Sequence, residues 1–329
     1  MIATGVGSLP FDDYAEAVKV VLGELPDLPH VPELPARGAI TTMVGRALAV
    51  IGDLDADLQP AGWRLTGSSG SPSVDQRRAR SLLAQDLDTV EELAQGYEGG
   101  FKLQVTGPWT LAATVERPRG DKILADHGAR RELAQALAEG VREHVRDVRK
   151  RLPGATRLVV QLDEPALAAV IDGQVPTASG YGRHRSVDLP EASRAIEWLT
   201  AAIADEGAEP WVHSCAAGTP LALLAGAGVH GLSVDFAQLT AADHDQLAEA
   251  LEAGRTVALG VVPSTDPETT PSDKQVVESV LRWLDMLGLD AEELGDRLVL
   301  TPACGLAGAT PAYARAALAL VRTSAAALG

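Results

Sequence analysis

A histidine and a cysteine stand two positions apart at His213-Ser214-Cys215, in a chain that holds two cysteines and seven histidines. Borderline imidazole nitrogen with soft thiolate sulfur is the donor mixture that suits zinc. The pair follows Trp211-Val212, an apolar run that reads as the end of a strand. Alone, such a pair is more often a packed cysteine beside a hydrogen-bonded histidine. The other cysteine, Cys304, lies in Thr301-Pro302-Ala303-Cys304-Gly305-Leu306. One disulfide between the two is allowed by count, but thiols or metal ligation are expected in a reducing cytosol.

The elements that must position these groups follow from periodicity. Strand candidates fall at 2–10 (a short strand breaking into a Gly-Ser turn), 30–35, 101–105, 158–162, 208–212, 231–234, 256–261 and 297–300. Helical spacing of apolar residues fills the gaps, most clearly at 40–51, 74–95, 121–151 and 190–204. Thr270-Pro271 and Thr310-Pro311 read as helix starts, a capping residue followed by proline. Residues 55–73, rich in Gly, Pro and Ser, read as an insertion with a hairpin around Pro60-Ala61-Gly62. Eight strands alternating with helices over residues 1–329 predict an α/β fold, a single-domain (β/α)8 TIM barrel. A doubly wound sheet is the alternative, but no Gly-x-Gly-x-x-Gly turn follows any strand.

A formal net charge of −17 argues against nucleic acid or an anionic membrane as partner. The first residues, Met1-Ile2-Ala3-Thr4-Gly5, have no signal-peptide pattern, and the most apolar stretch, 220–232, is too short to span a bilayer. A cytoplasmic protein is expected.

A barrel carries its active site at the C-terminal ends of its strands. The polar residues there are Ser8, Glu33, Asp163, His213 with Cys215, Asp235 and Cys304. Each has a bland role available: turn serine, surface acid, helix-start aspartate, small buried cysteine. Together, His213, Cys215, Asp235 and Cys304 at one barrel mouth predict a zinc site.

Five segments also resemble the catalytic domain of cobalamin-independent methionine synthase, in the group that includes uroporphyrinogen decarboxylase. They are Gly7-Ser8-Leu9-Pro10, 161–167 (Gln-Leu-Asp-Glu-Pro-Ala-Leu), His213-Ser214-Cys215, Leu232-Ser233-Val234-Asp235 and Pro302-Ala303-Cys304-Gly305-Leu306, in the family's order. The resemblance implies a zinc enzyme that methylates a thiol, typically homocysteine to methionine. It implies His213, Cys215 and Cys304 as ligands, with Asp235 where the family has a glutamate. It implies Ser8, Glu33 and Asp163 as the residues that hold the amino acid's carboxylate and amino group, Asp163 also being the catalytic candidate.

The chemistry is consistent with these types. Zinc lowers the pKa of a bound thiol and keeps it as the nucleophilic thiolate. The backbone N–H groups of Gly7-Ser8 suit a carboxylate, and paired carboxylates suit an ammonium. The chain departs from the family at several points. Asp235 is one methylene shorter than glutamate, and no second, N-terminal barrel is expected. Residues 259–264 lack the family's histidine, and Trp109 follows Gly107-Pro108. These departures point away from methyltetrahydrofolate and toward a methylated corrinoid or corrinoid protein as donor. Two rivals remain: a uroporphyrinogen decarboxylase-like lyase using Arg37 and Arg46, and a non-catalytic zinc-binding protein.

Overall fold

The computed structural model describes residues 1–67 and 72–329. The chain opens with β1 (Ile2–Ala3) and α1 (Tyr14–Glu24), followed by α2 (Met43–Val50). A hairpin of β2 (Ala56–Gln59) and β3 (Gly62–Leu65) occupies the expected insertion, whose residues 68–71 lie outside the described ones. Then come α3 (Val74–Leu93), β4 (Gly99–Thr106), α4 (Pro108–Thr114), α5 (His127–Arg151) and β5 (Ala155–Asp163). The chain continues through α6 (Leu167–Ile171), α7 (Leu189–Asp205), β6 (Glu209–Ser214), α8 (Leu221–Gly226) and β7 (Gly231–Asp235). It ends with α9 (Ala241–Glu252), β8 (Thr256–Val262), α10 (Asp273–Leu287), α11 (Ala291–Leu294), β9 (Leu298–Pro302) and α12 (Pro311–Leu328).

Seven strands form one parallel sheet in the order β1-β9-β8-β7-β6-β5-β4, curled into a half-barrel with helices around it. The expected eighth strand is not a regular one, so the sheet is not closed as a full barrel. At that position residues 29–33 bridge the two edges with four hydrogen bonds. Lys102 N–H donates to the Pro29 carbonyl (2.8 Å) and Val31 N–H to the Lys102 carbonyl (2.9 Å). Glu33 N–H donates to the Gly7 carbonyl (3.1 Å) and Leu9 N–H to the Glu33 carbonyl (2.9 Å). Pro29, Pro32 and Pro35 have no N–H to give, which limits the ladder to these isolated bridges.

Helix boundaries moved where local caps compete. The last long surface helix before β9 starts not at Thr270-Pro271 but after Ser272, whose hydroxyl takes the Gln275 N–H while the Gln275 side chain returns to the Ser272 N–H. Asp126 caps α5 and excludes residues 121–126 from it. A short helix, α4, begins directly after Gly107, with Pro108 as its first residue.

Side chains alternate across each strand, so Val159, Gln161 and Asp163 climb one face of β5. At the base of the curl an apolar plug forms from Ile2, Leu28, Val159, Trp211, Ala258 and Val299. Above it Lys102, Gln104, Gln161 and His213 make a buried polar layer, and Asp163 stands at the rim. The plug depends on Gly231. A Cβ there would lie 2.4 Å from Cδ1 of the fully buried Trp211 ring on the neighbouring strand. We therefore expect Gly231→Ala to cost about 1–3 kcal/mol by overpacking. Urea unfolding measures this, and the cost should shrink when Trp211 is also replaced by Leu.

Candidate active site

The curl brings strand ends that are far apart in sequence to one cavity of about 310 Å³. Its wall includes Ser8, Glu33, Asp163, His213, Cys215 and Cys304, with Pro35, Thr42 and Met43 completing one side. All the expected site residues except Asp235 therefore meet. Cys215 follows β6 directly, and Cys304 lies two residues beyond β9. One ring nitrogen of His213 and the two sulfurs lie within 4.8 Å of one another.

The cysteines are joined as a disulfide, where thiols were expected, with their Cα atoms 5.8 Å apart. The reason is tertiary: two half-buried residues 89 positions apart are delivered to the same mouth. Asp235 is not brought into this cluster. Its Oδ1 accepts the Ala237 N–H at 2.9 Å, capping a single turn at Phe236–Gln238, and the residue faces a separate small crevice with Gln238 and Asp243. A one-methylene-shorter side chain is held by that local bond.

The donor set fits zinc. His213 Nδ1 is 2.9 Å from the Ser233 hydroxyl, while its Nε2 is buried with no hydrogen-bond partner among the described residues. An orphaned buried nitrogen is costly unless something takes its lone pair or proton. Burial, reinforced by the Lys102 charge, pushes the ring down to about 3, so it is neutral and able to ligate. The Ser233 contact orients the ring from behind, as second partners of ligating histidines do.

Two buried cations serve the carboxylates. Arg46 Nε lies 3.2 Å from Glu33 Oε1, and its Nη1 lies 3.2 Å from Asp86 Oδ2. Arg37 also pairs with Asp86, Nη1 to Oδ1 at 2.9 Å. Both arginines are thus committed within the fold, which removes them as a recognition pair for a poly-anionic porphyrinogen. Lys102, completely buried, donates from Nζ to the Val6 carbonyl (2.9 Å), Gln161 Oε1 (3.0 Å) and Gln104 Oε1 (3.4 Å). The Gln161 amide then donates to Asp163 Oδ1 at 2.7 Å and to the Val6 carbonyl at 2.9 Å. Burial, then the Glu33 charge, pushes Asp163 up to about 8, and burial pulls Lys102 down to about 8 against the attraction of Asp163 and Glu33. Glu33 is raised by burial, with Arg46 opposing.

Glu164 is fully buried behind the rim and anchors α4. Its Oε1 accepts the Trp109 N–H (2.9 Å), and its Oε2 accepts the Thr110 N–H (2.8 Å) and hydroxyl (2.7 Å). On the other side, Gly305 approaches Ser8 so closely that a Cβ would lie 2.1 Å from the Ser8 hydroxyl oxygen. Lys102 and Gln161 had no assigned role from sequence, nor did Arg46 as the partner of Glu33. The available signal was alternation: in Phe101-Lys102-Leu103-Gln104-Val105 the polar residues share a face, which in a barrel is the inside.

Residues 92–327 match the family described as cobalamin-independent synthase, catalytic domain. The chain belongs to this family. Among solved structures, a B12-independent methionine synthase from Shewanella sp. W3-18-1, in complex with selenomethionine, is 16% identical with a TM-score of 0.60. That alignment covers 100% of this chain and 98% of that one, and it shows a shared fold. SrfJ from Salmonella typhimurium (12% identity, 98% and 74% covered, TM-score 0.44) and a 2,3-dimethylmalate lyase (15%, 95% and 77%, 0.39) are too distant to bear on function. Among curated proteins none matches. The family's matched span holds Asp163, His213, Cys215 and Cys304; Ser8 and Glu33 precede it.

Lys102→Met should cost about 3–5 kcal/mol, because it strands the buried side-chain oxygens of Gln161 and Gln104 and the carboxylates above them; chemical denaturation reads this directly. Burial pushes Glu164 up to about 7 from its ordinary 4.5, with the Trp109 and Thr110 donors opposing. The folded chain thus holds this proton more tightly than the unfolded one. The associated stability is complete below pH 4.5 and is lost as pH rises through about 7. Relative to Glu164→Gln, the parent protein should therefore lose stability between about pH 5 and about pH 8 in urea titrations; a constant difference would count against the shift.

Proposed function

We propose that this chain is a zinc-dependent methyltransferase that moves a methyl group to a thiol, homocysteine being the acceptor and methionine the product. Family membership supports methyl transfer in methionine synthesis. The observation that carries the zinc and thiol reading is the meeting of His213, Cys215 and Cys304 with Glu33 and Asp163 in one cavity. The same reading takes residues 1–329 as one (β/α)8 domain, with residues 29–33 as its eighth stave, working in a cytoplasmic, reducing setting that keeps both cysteines as thiols.

His213, Cys215 and Cys304 would hold the metal, leaving a fourth position for the substrate sulfur. Zinc, when bound, supplies a lowered thiol pKa and so a thiolate at neutral pH. Asp235, tied to the Ala237 N–H, has the weakest support as a ligand. Asp163, its Oδ1 fixed by Gln161, offers Oδ2 to the substrate's ammonium, and Glu33 is its partner in that task. Ser8 with its backbone is the carboxylate end of the pocket. The methyl donor in this proposal is a methylated corrinoid or corrinoid protein, in keeping with a loop after β8, Val262-Pro263-Ser264, that lacks a histidine. A closed, non-catalytic zinc site is less well supported, because it leaves the Glu33–Asp163 pair without a role.

Purified under reduction, the protein should carry about one zinc per chain, falling below about half in Cys304→Ser. Ser233→Ala should weaken zinc binding about 10- to 100-fold while the fold persists. Elemental analysis and competition with a chelator decide both, and a zinc-free parent protein sinks the proposal. Methionine formation from homocysteine, assayed with methylcobalamin and with methyltetrahydrofolate in parallel, should favour the first donor. Asp163→Asn should lower kcat/KM about 10- to 100-fold in that assay when it is run above about pH 8, where Asp163 is ionised, the loss of one charged hydrogen bond.

A further inference from the structure

A second cavity, of about 410 Å³, shares no residue with the one around His213. It lies between the start of α5 and the first three turns of α7, with Trp109 of α4 also in its wall and no strand residue contributing. Its size is that of a small-molecule site. The wall carries three guanidinium groups, from Arg130, Arg131 and Arg194, and a single carboxylate, from Glu191.

That balance is unexpected in a chain with 45 acidic and 28 basic residues. Glu191 is already engaged: its Oε1 lies 2.9 Å from His127 Nδ1 and 3.0 Å from Arg130 Nε. Its Oε2 accepts from Arg130 Nη2 at 3.1 Å. Arg131 has no hydrogen bond or ion pair among the described residues. The acid near Arg194 is Glu197, 3.7 Å away on the same helix and outside the cavity wall. Arg131 is therefore left without a partner among the described residues, and Arg194 has only this long, solvent-exposed contact. The N-terminal turns of α5 and α7 add to the positive potential. Beside these charges stand two of the chain's five tryptophans, Trp109 and Trp198. The Trp109 ring is fixed by its Nε1–H, which donates to the Ala192 carbonyl at 3.0 Å, and Trp198 is half-buried.

We propose that this cavity binds a small organic anion that carries a planar ring. Arg131 and Arg194 take the phosphate or carboxylate, and the tryptophan side takes the ring. Guanidinium forks match either anion, and aromatic rings add stacking and edge contacts that a bare ion cannot use. The site is independent of the zinc and methyl-transfer reading.

The test is calorimetric titration of the full chain with phenyl phosphate, benzoate, inorganic phosphate and phenol. Phenyl phosphate or benzoate should bind, with the stronger of the two identifying the head group. Inorganic phosphate should bind at least about tenfold more weakly, and phenol not measurably. Arg131→Ala with Arg194→Ala, both at exposed positions, should weaken the ring-bearing anion at least about tenfold with thermal unfolding and zinc content unchanged. Trp198→Ala should abolish the preference over inorganic phosphate. Absence of binding by both ring-bearing anions, equal binding of inorganic phosphate, or full binding by the double arginine variant overturns the proposal.

Discussion

One buried ammonium ties together the two edges of the curled sheet. Lys102 rises from β4, yet its Nζ bonds the Val6 carbonyl just beyond β1, and the Gln161 amide from β5 reaches the same carbonyl. With regular pairing limited to isolated bridges along residues 29–33, these side chains help hold the opposite edges at a fixed distance. The interior tolerates a charge there because every donor finds an acceptor and because two carboxylates stand above it. Below the ammonium, the plug around Trp211 excludes water. Above it, the rim is free to do chemistry.

The site is therefore built on balanced burial. Glu33 and Asp163 share a cavity wall, and neither could be carried there by packing alone. Arg46 answers Glu33 and, with Arg37, answers Asp86. Lys102 answers Asp163 through the Gln161 amide, whose two ends fix which oxygen of the carboxylate is occupied. Glu164, one residue along, uses its oxygens differently: they accept from the start of α4 and so keep Trp109 and Thr110 against the sheet. Adjacent carboxylates in one motif thus have separate tasks, one facing the cavity and one facing the helix layer.

The sulfur and nitrogen groups sit on the far side of the same mouth. His213 is buried, neutral and oriented by Ser233, with its other nitrogen unpartnered. Cys215 and Cys304 are close enough to bond to each other, which is also the condition for sharing an ion once reduced. Oxidation state at this pair and metal occupancy are in this way mutually exclusive uses of the same two sulfurs.

Strand and helix order, the apolar periodicities and the gathering of polar residues at strand ends could be read directly from residue types, because each depends on local spacing of two or about 3.6 residues. His213, Cys215, Cys304, Glu33 and Asp163 were legible as site candidates for the same reason: each ends a strand or an extended segment. Three matters were decided only by the three-dimensional arrangement. The eighth stave is reduced to bridges because its prolines lack donors on both sides of a gap that only the curl defines. Asp235 is at a strand end, as expected, but a two-residue hydrogen bond to Ala237 competes for its short side chain and prevails. Apart from the contact of Lys102 with Gln104, Lys102 and Arg46 acquire their partners from residues 13 to 96 positions away, and long-range pairing leaves no periodic trace in a sequence. Spacing specifies which residues reach the mouth of the sheet; burial and pairing determine which of them are left free to act there.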